Sequence, residues 1–164
     1  MRPNKLAVVE WSRRTLGYPL GANAIILDTE TTGLDHSAEI IQLAIIDTHG
    51  ETLLDTLIRP TAPPDQGSIR IHGLTAERLA TAPALREYAE QLQSLLITRP
   101  VLIYNADFDL RLLRQSLHAH QLAFTWLNFV HYACVMEQYA VYHGERRQRQ
   151  SAALPLSASR GGYR

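Results

Sequence analysis

A short apolar strand that ends on acidic residues constrains this chain more than any other feature of its sequence. Residues Ala24–Leu27 are all apolar and too few for a helix, and Asp28 and Glu30 follow directly. Because alternate residues of a strand point to the same side, the two carboxylates should project together. Mg²⁺ prefers oxygen ligands and is often held by one or two carboxylates and a substrate phosphate. The pattern predicts a divalent-metal site, with a strand that runs into a polar turn as the plainer alternative.

Two longer strings resemble motifs of one enzyme family. Residues 28–34, Asp-Thr-Glu-Thr-Thr-Gly-Leu, are similar to the first motif of the DEDD superfamily of 3′–5′ exonucleases, specifically its DnaQ-like, DEDDh branch. Residues 104–109, Tyr-Asn-Ala-Asp-Phe-Asp, resemble the second motif, usually His-Asn-Ala-X-Phe-Asp, with Tyr104 in place of the histidine. By position, Asp109 and not Asp107 matches the family's metal-binding aspartate.

The resemblance covers roughly residues 22–143. It implies an α/β fold of the ribonuclease-H-like type, in which helices flank a mixed central sheet. It also implies that Asp28, Glu30 and Asp109 are the catalytic and metal-binding residues, holding two Mg²⁺ or Mn²⁺ ions. The substrate-binding residues that it implies are Thr31, Thr32, Gly33, Leu34, Asn105 and Phe108, with Leu34 beside the terminal base.

The implied activity is hydrolysis of phosphodiester bonds from the 3′ end of a single-stranded nucleic acid. Two divalent ions roughly 4 Å apart can activate water and stabilise the leaving oxygen in such reactions. The family includes the epsilon proofreading subunit of DNA polymerase III, so a DNA polymerase is a possible partner. A ribonuclease that trims short RNA is an alternative, because sequence alone does not locate contacts to the 2′-hydroxyl.

The family's third motif is missing from this sequence. In the DEDDh branch a late His-X-Ala-X-X-Asp supplies the general base and a final metal ligand, but no aspartate follows Asp109 here. The last acidic residues are Glu137 and Glu145. We therefore expect impaired catalysis. The alternative is a non-catalytic, nucleic-acid-binding or polymerase-associated module on the same fold.

Charge is distributed unevenly along what should be one domain. The 164 residues, 46% of them hydrophobic, suit a single domain, which we place at residues 1–144 with an amphipathic helix at about 5–16. Formal net charge is zero, yet residues 145–164 hold five arginines against one glutamate. Such a basic tail could contact phosphates. Because the resemblance stops near residue 144, we expect 145–164 to be a disordered or frame-shifted tail, and the fold to be C-terminally incomplete.

Two further observations concern the cellular compartment. The sequence contains no apolar run near the roughly 18 residues that a membrane span requires, and no signal peptide pattern at its start. Cys134 is the single cysteine, so an internal disulfide is impossible. Both observations favour a cytoplasmic protein without a membrane partner.

Hydrophobic periodicity predicts the elements around the motifs. Strands are expected at 24–28, 39–47, 51–59 and 101–105, the second and third forming a hairpin. Residues 60–67, rich in proline, should be an irregular loop. Helices are expected at 84–97, from Ala106 onward and at about 129–142. His72 is expected to cap the helix that follows it, with contact to substrate as the alternative. Trp126 is expected in the core, with stacking on bases as the alternative.

Overall fold

The computed structural model describes residues 23–142, in which one five-stranded sheet is flanked by helices. The strands are β1 (Ile25–Thr31), β2 (Ile40–Asp47), β3 (Thr52–Leu57), β4 (Val101–Ile103) and β5 (Tyr132–Cys134). The helices are α1 (Gln66–His72), α2 (Ala76–Ala80), α3 (Ala89–Thr98), α4 (Ala106–Ala119) and α5 (Val135–Tyr142). Short 3₁₀ turns lie at Leu85–Glu87 and Thr125–Phe129.

The sheet is mixed, with β1 at its centre. The strand order is β3-β2-β1-β4-β5, and β1 is antiparallel to β2 but parallel to β4. The predicted hairpin of β2 and β3 is confirmed. Its turn depends on Gly50, whose φ of +88° favours glycine, and on the Asp47 carboxylate, which accepts from the amides of His49 and Glu51. The predicted α/β arrangement, a mixed central sheet flanked by helices, is confirmed as well.

One side of the sheet carries most of the hydrophobic core. Ile25 and Leu27 of β1 are buried, whereas Ile26 between them is 38% exposed on the other side. Full burial of one such side chain contributes about 1.5–3 kcal/mol. Helices α3 and α4 complete the core with Leu92, Leu96, Leu112, Leu113 and Leu117. This packing fixes α4, and therefore its first turn, against the central strand.

Three sequence predictions differ from the structure. The proline-rich stretch was expected to be a loop throughout, but α1 begins within it because the Asp65 carboxylate caps the amide of Ser68 at 2.7 Å. The expected helix at 129–142 begins only at Val135, since residues 132–134 instead pair with β4. His72 does not cap α2; Thr75 occupies that cap position. Trp126, in contrast, is buried as predicted.

Some predictions concern parts of the chain that lie outside the described residues. These are the helix at about 5–16, the tail at 145–164 and the domain boundary at residue 144. Within residues 23–142, no helix is long and apolar enough to cross a membrane.

Candidate active site

The two acidic motifs meet at one edge of the sheet. Because β1 and β4 are parallel neighbours, their carboxyl ends lie side by side, and α4 starts immediately after β4. Asp28 and Glu30 lie within β1, which runs three residues beyond its predicted end. The hydroxyl of Thr29, between them, donates to Asp109 Oδ1 over 2.7 Å. This bond joins the first motif directly to the second.

Asp109 is a buried carboxyl in the first turn of α4. Its side chain belongs to a residue only 7% exposed, and its amide donates to the carbonyl of Asn105. Burial raises the pKa of Asp109 above its usual value, the bond from Thr29 opposes that rise, and the nearby charge of Asp28 adds to it. Asp109 is therefore costly to ionise unless a cation lies between it and Asp28.

The donor chemistry of this edge suits a hard divalent cation. Asp28 is exposed and close enough to repel Asp109, and Glu30 is partly exposed on the same strand. Within residues 23–142, no three His, Cys, Asp or Glu side chains are arranged to hold a metal ion unaided. Mg²⁺ commonly takes only one or two carboxylates and fills its remaining positions with water and substrate phosphate. The carboxylates present fit that incomplete type of site.

In the segment Thr31–Leu34, which begins at the last residue of β1, the first three residues are buried and Leu34 is exposed. Thr31 and Thr32 are each 7% exposed, and their hydroxyl groups are already engaged with Gly33 O and the Glu39 amide. Leu34, in contrast, is 75% exposed. Leu34 is therefore the side chain that this segment exposes to a ligand.

Two side chains of helix α4 donate hydrogen bonds to backbone carbonyls at the end of this segment and just after it. Arg111 donates to the carbonyls of Leu34 and Asp35 at 3.3 and 3.2 Å. Gln115, one turn later, donates to the carbonyls of Asp35 and Ala38. Sequence reasoning missed both residues, although their i, i+4 spacing on the predicted helix that contains Asp109 was visible.

Helix α1 holds the same segment from the other side. The amide of Asp65 donates to the Thr32 carbonyl over 2.8 Å. A Cβ atom placed on Gly33 would lie 2.8 Å from the Asp65 carboxylate, closer than such atoms approach in proteins. Gly33 therefore packs closely against the cap of α1, and any larger residue there would force the Asp65 side chain to shift. Sequence reasoning missed Asp65, whose position before Gln66-Gly67-Ser68 matches a helix N-cap.

Asn105 and Phe108, the remaining candidates from the second motif, differ in the contacts that their side chains make. Asn105 is partly buried at the N-cap of α4, and its side chain makes no capping bond. Phe108 is also partly buried, and the Arg111 guanidinium lies 5.2 Å from the centre of its ring. The side-chain amide of Asn105 is thus available to a ligand at the edge where Asp28 and Asp109 meet.

A substitution at Gly33 tests the close packing of α1 on the first motif. Gly33→Ala should lower the free energy of unfolding by about 1–3 kcal/mol, the usual cost of overpacking. In an Asp65→Ala background, which removes the obstructing carboxylate, the same change should cost clearly less. Urea denaturation of the four proteins gives the coupling energy. Equal costs in both backgrounds would show that the two residues do not interact.

Comparison with known proteins identifies the family. The exonuclease family model RNase_T matches residues 25–155. An uncharacterised exonuclease, CP81, of Escherichia phage 186 is 39% identical over 124 residues, which are 74% of this chain and 64% of the relative. The epsilon subunit of DNA polymerase III from Pasteurella multocida is 34% identical over 95 residues, covering 52% of this chain and 38% of that protein.

Solved structures show the same fold. The structure of Escherichia coli exonuclease I with a dT13 oligonucleotide superposes with a TM-score of 0.63 at 17% identity, covering 78% of this chain and 31% of that one. The chain spans less than two thirds of the length of each of these relatives. The resemblance predicted from the two motifs is confirmed: this chain belongs to the RNase_T family of DnaQ-like exonucleases.

Proposed function

We propose that this chain is a 3′–5′ exonuclease domain that removes mononucleotides from single-stranded nucleic acid. One observation carries the proposal: the bond from Thr29 to Asp109 joins the two acidic motifs beside an exposed apolar residue, Leu34. Acidic groups can hold cations that neutralise a phosphate, while Leu34 can contact a terminal base or sugar. Membership of an exonuclease family supports the same assignment.

Asp28, Glu30 and Asp109 are the residues that would hold Mg²⁺ or Mn²⁺, which the family normally uses. When bound, two such ions supply an activated water and stabilise the charge that develops on the scissile phosphate. In the proposed arrangement Asp28 would serve both ions, Glu30 would complete one site and Asp109 would support the other. Thr29 fixes the Asp109 carboxylate through its 2.7 Å hydrogen bond.

The segment Thr31–Leu34, together with Asn105 and Phe108, would bind the 3′-terminal nucleotide. Within the described residues, the amides of Gly33 and Leu34 donate to no protein acceptor, so they can donate to sugar or phosphate oxygens. Leu34 would lie against the terminal base. Because the contacts from Gly33 and Leu34 are made by backbone amides and one apolar side chain, they favour no particular base.

This chain should turn over slowly as it stands. Its sequence has no His-X-Ala-X-X-Asp segment after Asp109 that could supply a general base. A positioned general base is typically worth roughly 100- to 10,000-fold in rate. Hydrolysis as fast as that of a relative with the complete motif would contradict this proposal and indicate a substitute base.

Metal binding can be tested without any nuclease assay. Mn²⁺ at ten times its Kd should stabilise the native state by about 1.4 kcal/mol, which corresponds to a Tm rise of roughly 3–6 °C. The Asp28→Ala/Glu30→Ala variant should show no rise. Asp107→Asn removes an exposed carboxylate from the same helix turn as Asp109 and is the matched control. Equal shifts in the double variant and the wild type would place the ion elsewhere.

A further inference from the structure

His72, the last residue of α1, makes two hydrogen bonds, one through each nitrogen of its ring. Its Nδ1 accepts from the amide of Leu74 over 3.0 Å, and its Nε2 lies 3.2 Å from the carbonyl oxygen of Thr31, 41 residues away in sequence. Gly73 makes the first bond possible, because its φ of +74° turns the chain back toward the ring. The ring therefore bridges the end of α1 and the first motif.

The two partners fix where the ring carries its proton. A backbone amide can only donate, so Nδ1 must offer its lone pair to Leu74. The neutral ring then carries its hydrogen on Nε2, which faces an oxygen that can only accept. His72 is thus a donor to the Thr31 carbonyl, and the amide of Leu74 holds it in that form.

The carbonyl that accepts from His72 lies just before the two amides proposed to contact the nucleotide. Thr31 is the last residue of β1, and the amides of Gly33 and Leu34 that could contact a nucleotide follow it. Asp65, at the other end of α1, holds the next carbonyl, that of Thr32. Two successive carbonyls of the first motif are therefore held by the two ends of one short helix.

We propose that His72 is a positioning residue for nucleotide binding: its Nε2–H holds the Thr31 carbonyl and so directs the Gly33 and Leu34 amides toward the 3′-terminal nucleotide. The inference rests on the proposed function, since it takes the nucleotide to lie on this segment. His72 acts through the backbone of Thr31 and need not touch the substrate. The bond could be replaced by any side chain that offers a donor at the position of Nε2.

Three variants separate the two ends of the ring. His72→Gln places an amide near the position of Nε2 and can still donate to Thr31. His72→Asn reaches only the position of Nδ1 and can still accept from Leu74. His72→Ala loses both bonds. His49→Gln, in the exposed hairpin turn, is the control for replacing a histidine with an amide.

Two measurements should be made on each full-length protein. The first is anisotropy of a 5′-fluorescein-labelled oligo(dT) in Ca²⁺. The second is amide hydrogen exchange of the peptide that contains residues 32–38. His72→Asn and His72→Ala both lose the bond to the Thr31 carbonyl. We expect each to weaken binding about three- to tenfold and to speed exchange by a similar factor, as the loss of that one hydrogen bond implies. His72→Gln and the His49→Gln control should stay within about twofold of wild type in both measurements.

The outcomes distinguish failure of this inference from failure of the proposed function. Equal effects of the Gln and Asn variants would show a general structural role and overturn the inference, as would weaker binding without faster exchange. If the wild type does not bind oligo(dT) or its RNA counterpart, the proposed function fails. The exchange rates then still decide whether His72 holds the segment.

Discussion

Replacing Asp28 with alanine should abolish metal-dependent hydrolysis. Asp28 is an exposed residue within the central strand, close enough to Asp109 for their charges to repel, and it is the carboxylate proposed to serve both ions. Metal ions contribute several kcal/mol of transition-state stabilisation to such reactions. Since each 1.36 kcal/mol is a factor of ten, we expect a fall of about a thousandfold or more, to background.

The measurement compares initial rates of nucleotide release in Mn²⁺ for Asp28→Ala and Asp107→Ala. Asp107 is an exposed carboxylate two residues before Asp109, and its removal changes net charge by the same amount. The control should keep its rate within about threefold, as surface substitutions usually have small effects. A wild-type rate in Asp28→Ala would show that hydrolysis comes from a contaminant or from another site.

Replacing Asp109 with asparagine should stabilise the metal-free protein while removing its activity. Asparagine can still accept the hydrogen bond from Thr29 but carries no charge, so it avoids both the cost of burial and the repulsion from Asp28. In EDTA at pH 7 the variant should have the higher Tm. For a chain of this size each kcal/mol corresponds to about 2–4 °C. Such gains at the expense of function are typical of active-site residues.

The pH dependence of this gain follows from the raised pKa of Asp109. The folded protein holds the proton more tightly than the unfolded chain, so the stability that Asp109 contributes is complete below its unfolded pKa of about 3.9. That contribution is lost as pH rises through the higher folded pKa. The Tm gap between Asp109→Asn and wild type should therefore open as pH rises from 3 to 7, and Mn²⁺ should narrow it.

Differential scanning fluorimetry between pH 3 and 7, with EDTA or Mn²⁺, tests this prediction. Asp107→Asn, an exposed change in the same helix turn, should show no such pH-dependent gap. A variant less stable than wild type in EDTA at pH 7 would mean that the ionised Asp109 carboxylate is a favourable structural group. The prediction that burial and the charge of Asp28 make the ionised Asp109 carboxylate destabilising would then be wrong.

The sequence correctly predicted those strands whose formation depends on the pattern of adjacent residues. The apolar run before Asp28 and the alternation of the hairpin are properties of adjacent residues, and both appear as strands. Strand β5 was missed because its three residues are helix-compatible and become a strand only by pairing with β4. Helix α1 was missed because a seven-residue helix depends on its caps, Asp65 and Gly73, more than on periodicity.

In the candidate site, too, residues within local motifs were predicted, whereas residues that act over long sequence distances were not. Asp28, Glu30 and Asp109 were chosen from their motifs, and the fold brings Asp28 and Asp109 together. The groups that hold the first motif in place could not be found this way, since Arg111 and His72 act on carbonyls 77 and 41 residues distant. Backbone carbonyls carry no sequence signature, so a side chain that binds one is visible only in three dimensions.

The direction of digestion tests the central claim most directly. Single-stranded DNA and RNA labelled at the 5′ end should be incubated separately with the protein in Mn²⁺ and sampled over time. We predict a slow ladder of labelled products that shorten one nucleotide at a time from the 3′ end, absent in EDTA and with Asp28→Ala. Early release of the labelled 5′ nucleotide, or internal fragments without a ladder, would contradict a 3′–5′ exonuclease. Binding of the 3′ end without any hydrolysis would identify a non-catalytic module instead.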